Sequence, residues 1–250
     1  MMSLTETNLL QIAKKQYAFK LEAYMGIFFT LIVVQALGIL FSMNGIMSSG
    51  TTTGEMFVSA KVFAGDMIIT LTMIWVLFLA LNMTIDDYRR ADFVFVTNRL
   101  SSNLSSIGFV LTAALVGGVT ASFGGVITRV LAYYSYGSEN IASQHFFILP
   151  QELLMSIMAT TLYIILISAI GYFFGTLIQI YRGFIIILPT IFIGLVIMGT
   201  RGVGNIGVLL PEAVKFFTNE SSLVLFAIKV IVTALVLFYS SILISNRLEV

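Results

Sequence analysis

Six apolar stretches, each close to the length that crosses a bilayer, take up most of this 250-residue chain. They are Tyr24–Met43, Met67–Met83, Ile107–Val130, Leu153–Ile180, Phe184–Met198 and Leu223–Ser245. A membrane-spanning helix needs about 20 apolar residues, with a range of roughly 17–25. The fifth stretch is short and contains Pro189, so it borrows length from Gly183 and from Gly199 onward. Only 10% of residues are charged and the mean hydropathy is +1.02. A soluble domain carries about 25% charged residues, so solubility is excluded. The alternating segments of about ten residues that mark a membrane β-barrel are absent. The expected fold is therefore all-α and polytopic, a single transmembrane domain over 1–250. Its helices are expected at 24–47, 64–85, 107–131, 153–180, 183–200 and 222–245.

The net charge of +1 gives no reason to expect nucleic acid as a partner. Without cysteine, disulfides and thiolate metal sites are ruled out. The first span follows a mixed stretch and lacks a small-residue cleavage site, so it reads as a retained helix rather than a signal peptide. Six spans put both termini on one side. If that side is the cytoplasm, inner segments hold Lys14, Lys15, Lys20, Arg89, Arg90, Arg99, Arg182 and Arg247. Outer loops then hold only Lys61, Arg201 and Lys215, which favours cytoplasmic termini under the positive-inside rule.

Before the first span, residues 8–23 read as an interfacial helix. Leu9, Ala13, Tyr17, Leu21 and Tyr24 share one side of a helical wheel, with Asn8, Lys15 and Glu22 opposite. Lys20 breaks that pattern. Outer loops are short, near Ser48–Phe63, Ala132–Glu152 and Arg201–Ser222. The last combines Gly202, Gly204, Gly207 and Pro211 with Val208-Leu209-Leu210 and Phe216-Phe217, and reads as a partly buried re-entrant or interfacial element.

The dense cluster of charge is Asp86-Asp87-Tyr88-Arg89-Arg90-Ala91-Asp92, between the second and third spans. Acids precede bases, the order that suits the dipole of a short helix. An apolar patch, Phe93-Val94-Phe95-Val96, comes next, with Thr97-Asn98-Arg99 as the expected stop. Two readings fit the patch. It is a knob for a groove on another protein, or it tucks into the bilayer interface, where aromatics also settle.

In its layout the whole chain resembles the permease subunit of a type-2 ABC transporter, the six-helix exporter class. Four features carry the resemblance: the N-terminal interfacial helix, the connector after span two, the small outer loops, and the irregular element before span six. That family usually has a stretch like L-P-x-[ST]-R in this connector, and Phe95-Val96-Thr97-Asn98-Arg99 occupies its place without the proline. The resemblance implies that segment 86–103 is a coupling helix docking on a separate ATPase, through Asp86, Asp87, Arg89, Arg90, Phe93, Phe95 and Arg99. It further implies a second permease copy or paralogue, ATP and Mg on the partner ATPase, no cofactor or enzymatic activity in this chain, and a bacterial plasma membrane location. Size and loop pattern are similar to small Gram-positive exporters of amphipathic peptides.

Lys229 lies about six residues into the last span, or roughly 9 Å deep at 1.5 Å per residue. A lysine at a helix centre costs about 2.5–3.5 kcal/mol, less toward an edge. It either snorkels outward or faces a dimer cleft, where an anionic substrate or Asp66 at the start of span two would meet it. These two residues are the candidate pathway positions. Glu152 reads as a helix cap after Pro150, and Arg129 as an interface anchor. Gly171 and Gly175 have the small-xxx-small spacing of close helix packing.

No P-loop and no H-E-x-x-H motif occurs, and the single histidine, His145, sits in an outer loop. The leading expectation is an ABC exporter permease that moves an amphipathic peptide, lipid or drug-like substrate by alternating access. The alternatives are a self-contained secondary transporter or channel, which needs several embedded charges, and a non-transporting assembly or immunity protein.

Overall fold

The computed structural model describes residues 9–43, 47–53, 56–62, 65–84, 99–136, 149–181, 183–201, 209–220 and 222–247. Helices dominate: α1 (Leu9–Ala23), α2 (Met25–Met43), α3 (Asp66–Thr84), α4 (Arg99–Tyr136), α5 (Pro150–Ile180), α6 (Phe184–Arg201), α7 (Leu209–Thr218) and α8 (Leu223–Arg247). Five of them, α2, α3, α4, α5 and α8, are long and apolar enough to cross a membrane, and the chain is a multi-pass membrane protein on that basis. The apolar part of α6, Phe184–Met198, is shorter, and Pro189 lies in its interior. One departure from helix occurs in the expected loop after α2. There β1 (Met47–Thr53) and β2 (Met56–Val62) pair antiparallel, from Met47↔Val62 to Thr53↔Met56. β-Branched Thr51, Thr52, Thr53, Val58 and Val62 suit that extended backbone.

The expected third span, 107–131, is extended at both ends, and its N-terminal extension takes in the polar run Ser101-Ser102-Asn103. Polar side chains can sit in a buried helix only where partners meet them, and here they do, as described below.

The chain forms two compact units. The first comprises Met1–Lys20, Leu77–Val110 and Ile165–Val250; the second comprises Leu21–Val76 and Leu111–Ile164. In the first, α8 buries one stripe, Phe226, Val230, Ala234, Phe238, Ser241 and Ser245. Steps of three and four keep that stripe on one face of the helix. Leu225, Ile228, Val232, Leu235, Val236 and Tyr239 stay exposed, the surface a lipid-facing helix presents. The Tyr172 ring of α5 meets Phe238 edge-on, centroids 5.7 Å apart. Gly171 and Gly175 of α5 let the C-terminal end of α3 approach closely. A Cβ on Gly171 would lie 2.9 Å from the Leu77 carbonyl oxygen, and one on Gly175 would run into the Thr84 hydroxyl. The small-xxx-small pair is a packing device, as its spacing implies.

In the second unit, α3 buries Ile68, Thr72 and Val76, one face at steps of four. Small residues on α4 meet it and α5. A Cβ on Gly118 would stand 2.7 Å from the Thr161 Cα, and one on Gly65 would stand 2.7 Å from the Gly125 Cα. Polar side chains tie the same helices together. The Gln35 amide of α2 donates to the Thr120 hydroxyl at 2.9 Å, and the Trp75 indole donates to Thr30 at 2.9 Å. Gly26, in contrast, has nothing within 4 Å of where a Cβ would be.

Gly118→Ala should therefore force the α4 and α5 backbones apart. We expect a loss of about 1–3 kcal/mol, the usual cost of overpacking. Gly26→Ala should be neutral or stabilise by up to about 1 kcal/mol, the glycine–alanine difference in helix propensity. Thermal unfolding of both variants in one detergent checks the contrast, and equal midpoints would contradict the packing described.

Candidate functional site

The charged connector joins the end of α3 at Thr84 to the start of α4 at Arg99, and both helix ends belong to the first unit. Asp86, Asp87, Arg89, Arg90, Phe93 and Phe95 lie outside the described residues, as do Thr97 and Asn98. Arg99 opens α4, so the point expected to stop a helix starts one. On the departing side, Thr84 is buried and donates to the Leu81 carbonyl at 2.6 Å. On the returning side, Asn103 is buried one turn into α4. Its amide donates to the Ser245 hydroxyl of α8 at 2.9 Å, and its carbonyl accepts from the Tyr172 hydroxyl of α5 at 3.3 Å. One side chain thus joins three helices through both ends of its amide.

A second buried contact lies one turn further on. Lys20 of α1, only 2% exposed, donates from Nζ to the Ser106 hydroxyl at 2.6 Å and lies 3.5 Å from the Ser102 carbonyl oxygen. Beside it on α1, Gln16 is buried, and among the described residues neither of its amide atoms is hydrogen-bonded. The face of Leu9, Ala13, Tyr17, Leu21 and Tyr24 is buried or half-buried and Lys15 and Glu22 are exposed, as the wheel implies, but Gln16 and Lys20 are buried on that side as well. The reason is the neighbour. α1 meets the serine-rich start of α4, which rewards polar side chains, while Lys14, Lys15 and Glu22 remain outside. Tyr17 still packs nearby, 3.3 Å from where a Cβ on Gly108 would sit.

Lys229 lies in the apolar part of α8, and its charge is met locally. Its ammonium forms an ion pair with Glu220, just before α8. It also lies 3.4 Å from the Phe216 carbonyl oxygen and 4.1 Å from the centroid of the Phe216 ring. A cation on an aromatic face gains about 0.5–2 kcal/mol as it is desolvated. The element expected to be re-entrant or interfacial is, over Leu209–Thr218, the short helix α7, fastened to α8 by this contact. Residues 202–208 of that element, and His145, lie outside the described residues.

Asp66, the other candidate pathway residue, opens α3 and is exposed. In the second unit it lines a cavity of about 280 Å³ with Ser122 and Arg129 of α4 and Glu152 and Ser156 of α5. Glu152 falls in the first turn of α5, after Pro150. Among the described residues, no group of three or more His, Cys, Asp or Glu side chains could hold a metal ion.

Sequence reasoning singled out Lys20 as an anomaly and Arg129 and Glu152 as structural, and it passed over Gln16, Asn103, Tyr172, Glu220 and Ser245. The available signal was the density of polar side chains at Ser101-Ser102-Asn103 and Ser105-Ser106, directly before an apolar span. No protein-family model matches the chain, and neither a curated protein nor a solved structure does.

Asn103→Ala and Ser245→Ala, separately and together, should give a coupling energy of about 0.5–2 kcal/mol in a double-mutant cycle of unfolding. Additive losses would mean that the hydrogen bond does not hold α4 to α8.

Proposed function

We propose that this chain is the membrane-spanning permease of an ATP-driven ABC exporter, with a separate ATPase docking on the connector. The observation that supports this most is mechanical. The charged connector is the stretch between two helix ends, and both ends are tied by buried contacts into one unit of the protein: Thr84 against Gly175, Asn103 to Ser245 and Tyr172, and Lys20 to Ser106. A push on the connector would then be delivered to α1, α3, α4, α5 and α8 together rather than lost in a slack loop.

In this reading α6 counts as the sixth span, α1 lies along the inner leaflet, and both termini face the cytoplasm of a bacterial cell. The permease pairs with a second copy or a paralogue, and two ATPase subunits bind ATP and Mg. Asp86, Asp87, Arg89, Arg90 and Arg99 supply charge complementarity to the ATPase surface, and Phe93 and Phe95 fill its groove. Closure of the ATPases on ATP moves the connector and opens the cleft outward, and hydrolysis resets it. The substrate is amphipathic: a peptide, a lipid or a drug-like molecule. A self-contained carrier would need a relay of embedded charges, and Lys229 is already engaged by its neighbour Glu220.

Affinity capture of the tagged chain from its native membrane should recover a stoichiometric soluble partner with a P-loop. A chain with Phe93→Asp and Phe95→Asp should insert normally yet lose that partner. Recovery of the chain alone in several detergents would sink the exporter reading, and a doubly substituted chain that keeps its ATPase would sink the coupling role.

A further inference from the structure

The cavity in the second unit carries an inference that does not rest on the exporter reading. Asp66 reaches it from the first turn of α3, Glu152 from the first turn of α5, and Arg129 from α4. Its volume of about 280 Å³ is several times the roughly 30 Å³ that one water molecule takes up. It accepts a group larger than an ion or a single water.

The charges lining it are of both signs, yet among the described residues none of the three side chains is paired with another. All three residues are exposed. Gly65, immediately before Asp66, packs closely on Gly125, one turn before Arg129, a Cβ on Gly65 standing 2.7 Å from the Gly125 Cα. The site thus presents two carboxylates and one guanidinium around an open volume. A single molecule that satisfies it needs a cation with several N–H donors and, joined to it, an anion.

Arginine's planar fork matches a phosphate or carboxylate bidentately, and carboxylates match a primary ammonium, which has three N–H donors. The Ser122 hydroxyl spends its proton on the Gly118 carbonyl at 2.9 Å and so faces the cavity as an acceptor. Position decides which anion. The cavity sits at the first turns of two membrane-crossing helices, the level of lipid headgroups, and exposed Leu154, Met155 and Met158 continue from it along α5. An acyl chain can follow such a track.

We infer that this cavity binds an ammonium–phosphate zwitterion of the phosphoethanolamine type. Two sources share that chemistry, a phosphatidylethanolamine headgroup in the bilayer and free phosphoethanolamine. The full chain is placed in nanodiscs of phosphatidylglycerol doped with a photo-crosslinkable phosphatidylethanolamine, and adducts are mapped by peptide mass spectrometry. Adducts should concentrate on the peptides bearing Asp66, Arg129 and Glu152. Arg129→Ala, and Asp66→Asn with Glu152→Gln, should each lower labelling about tenfold, the loss of one strong charge-assisted contact, with Arg129→Lys in between. The matching phosphatidylcholine probe, which has no N–H donor, should label the wild-type chain weakly, a comparison that needs no variant to fold. Loss of adduct on adding soluble phosphoethanolamine would show that the headgroup suffices; persistence would assign the site to the intact lipid. Equal labelling by phosphatidylcholine would overturn the inference. So would undiminished labelling of variants whose unfolding midpoint is unchanged, or adducts spread over the lipid-facing sides of α2 and α8.

Discussion

Helices surrounded by hydrocarbon gain little by burying leucine against leucine, because lipid tails are as apolar as the side chains they replace. What holds such helices together is contact close enough for dispersion forces, supplemented by polar groups that have no better partner. This chain meets the first need with bare backbone. Gly38 on α2, Gly65 just before α3, Gly118 on α4 and Gly175 on α5 each stand where a methyl group would strike the next helix. Every other feature depends on those approaches. The polar contacts form only because the helices are already that near, and the large apolar side chains are freed to point at lipid. In α8 the consequence is plain: one stripe faces the protein, and an apolar face of Val224, Leu225, Ile228, Val232, Leu235 and Tyr239 is exposed.

The second need is met most densely where α4 begins. A serine-rich helix end would ordinarily lie in water, but α4 starts eight residues before its apolar span and takes Ser102, Asn103 and Ser106 into the interior. A buried amide costs several kcal/mol if unpaired and little if both ends are bonded. Asn103 has both ends bonded. Gln16, close by on α1, has neither among the described residues. The effect is to specify one arrangement of helices where apolar packing alone would permit several.

The membrane class was legible from the length and apolarity of the spans, because a bilayer imposes a length that no soluble core does. The small-xxx-small pair at Gly171 and Gly175 was legible because it is a local rule with one outcome. The inner face of α1 was legible only in its apolar part: Leu9, Ala13, Tyr17 and Leu21 do turn inward, but Gln16 and Lys20 join them. A helical wheel ranks residues by hydrophobicity and cannot foresee that α1 packs on a row of serines. Lys229 shows a related limit. Its carboxylate partner, Glu220, lies nine residues before it, across the turn that joins α7 to α8. Helical spacing rules reach only three or four residues. The hairpin of β1 and β2 was hidden because short polar connections with several threonines satisfy loop and strand alike.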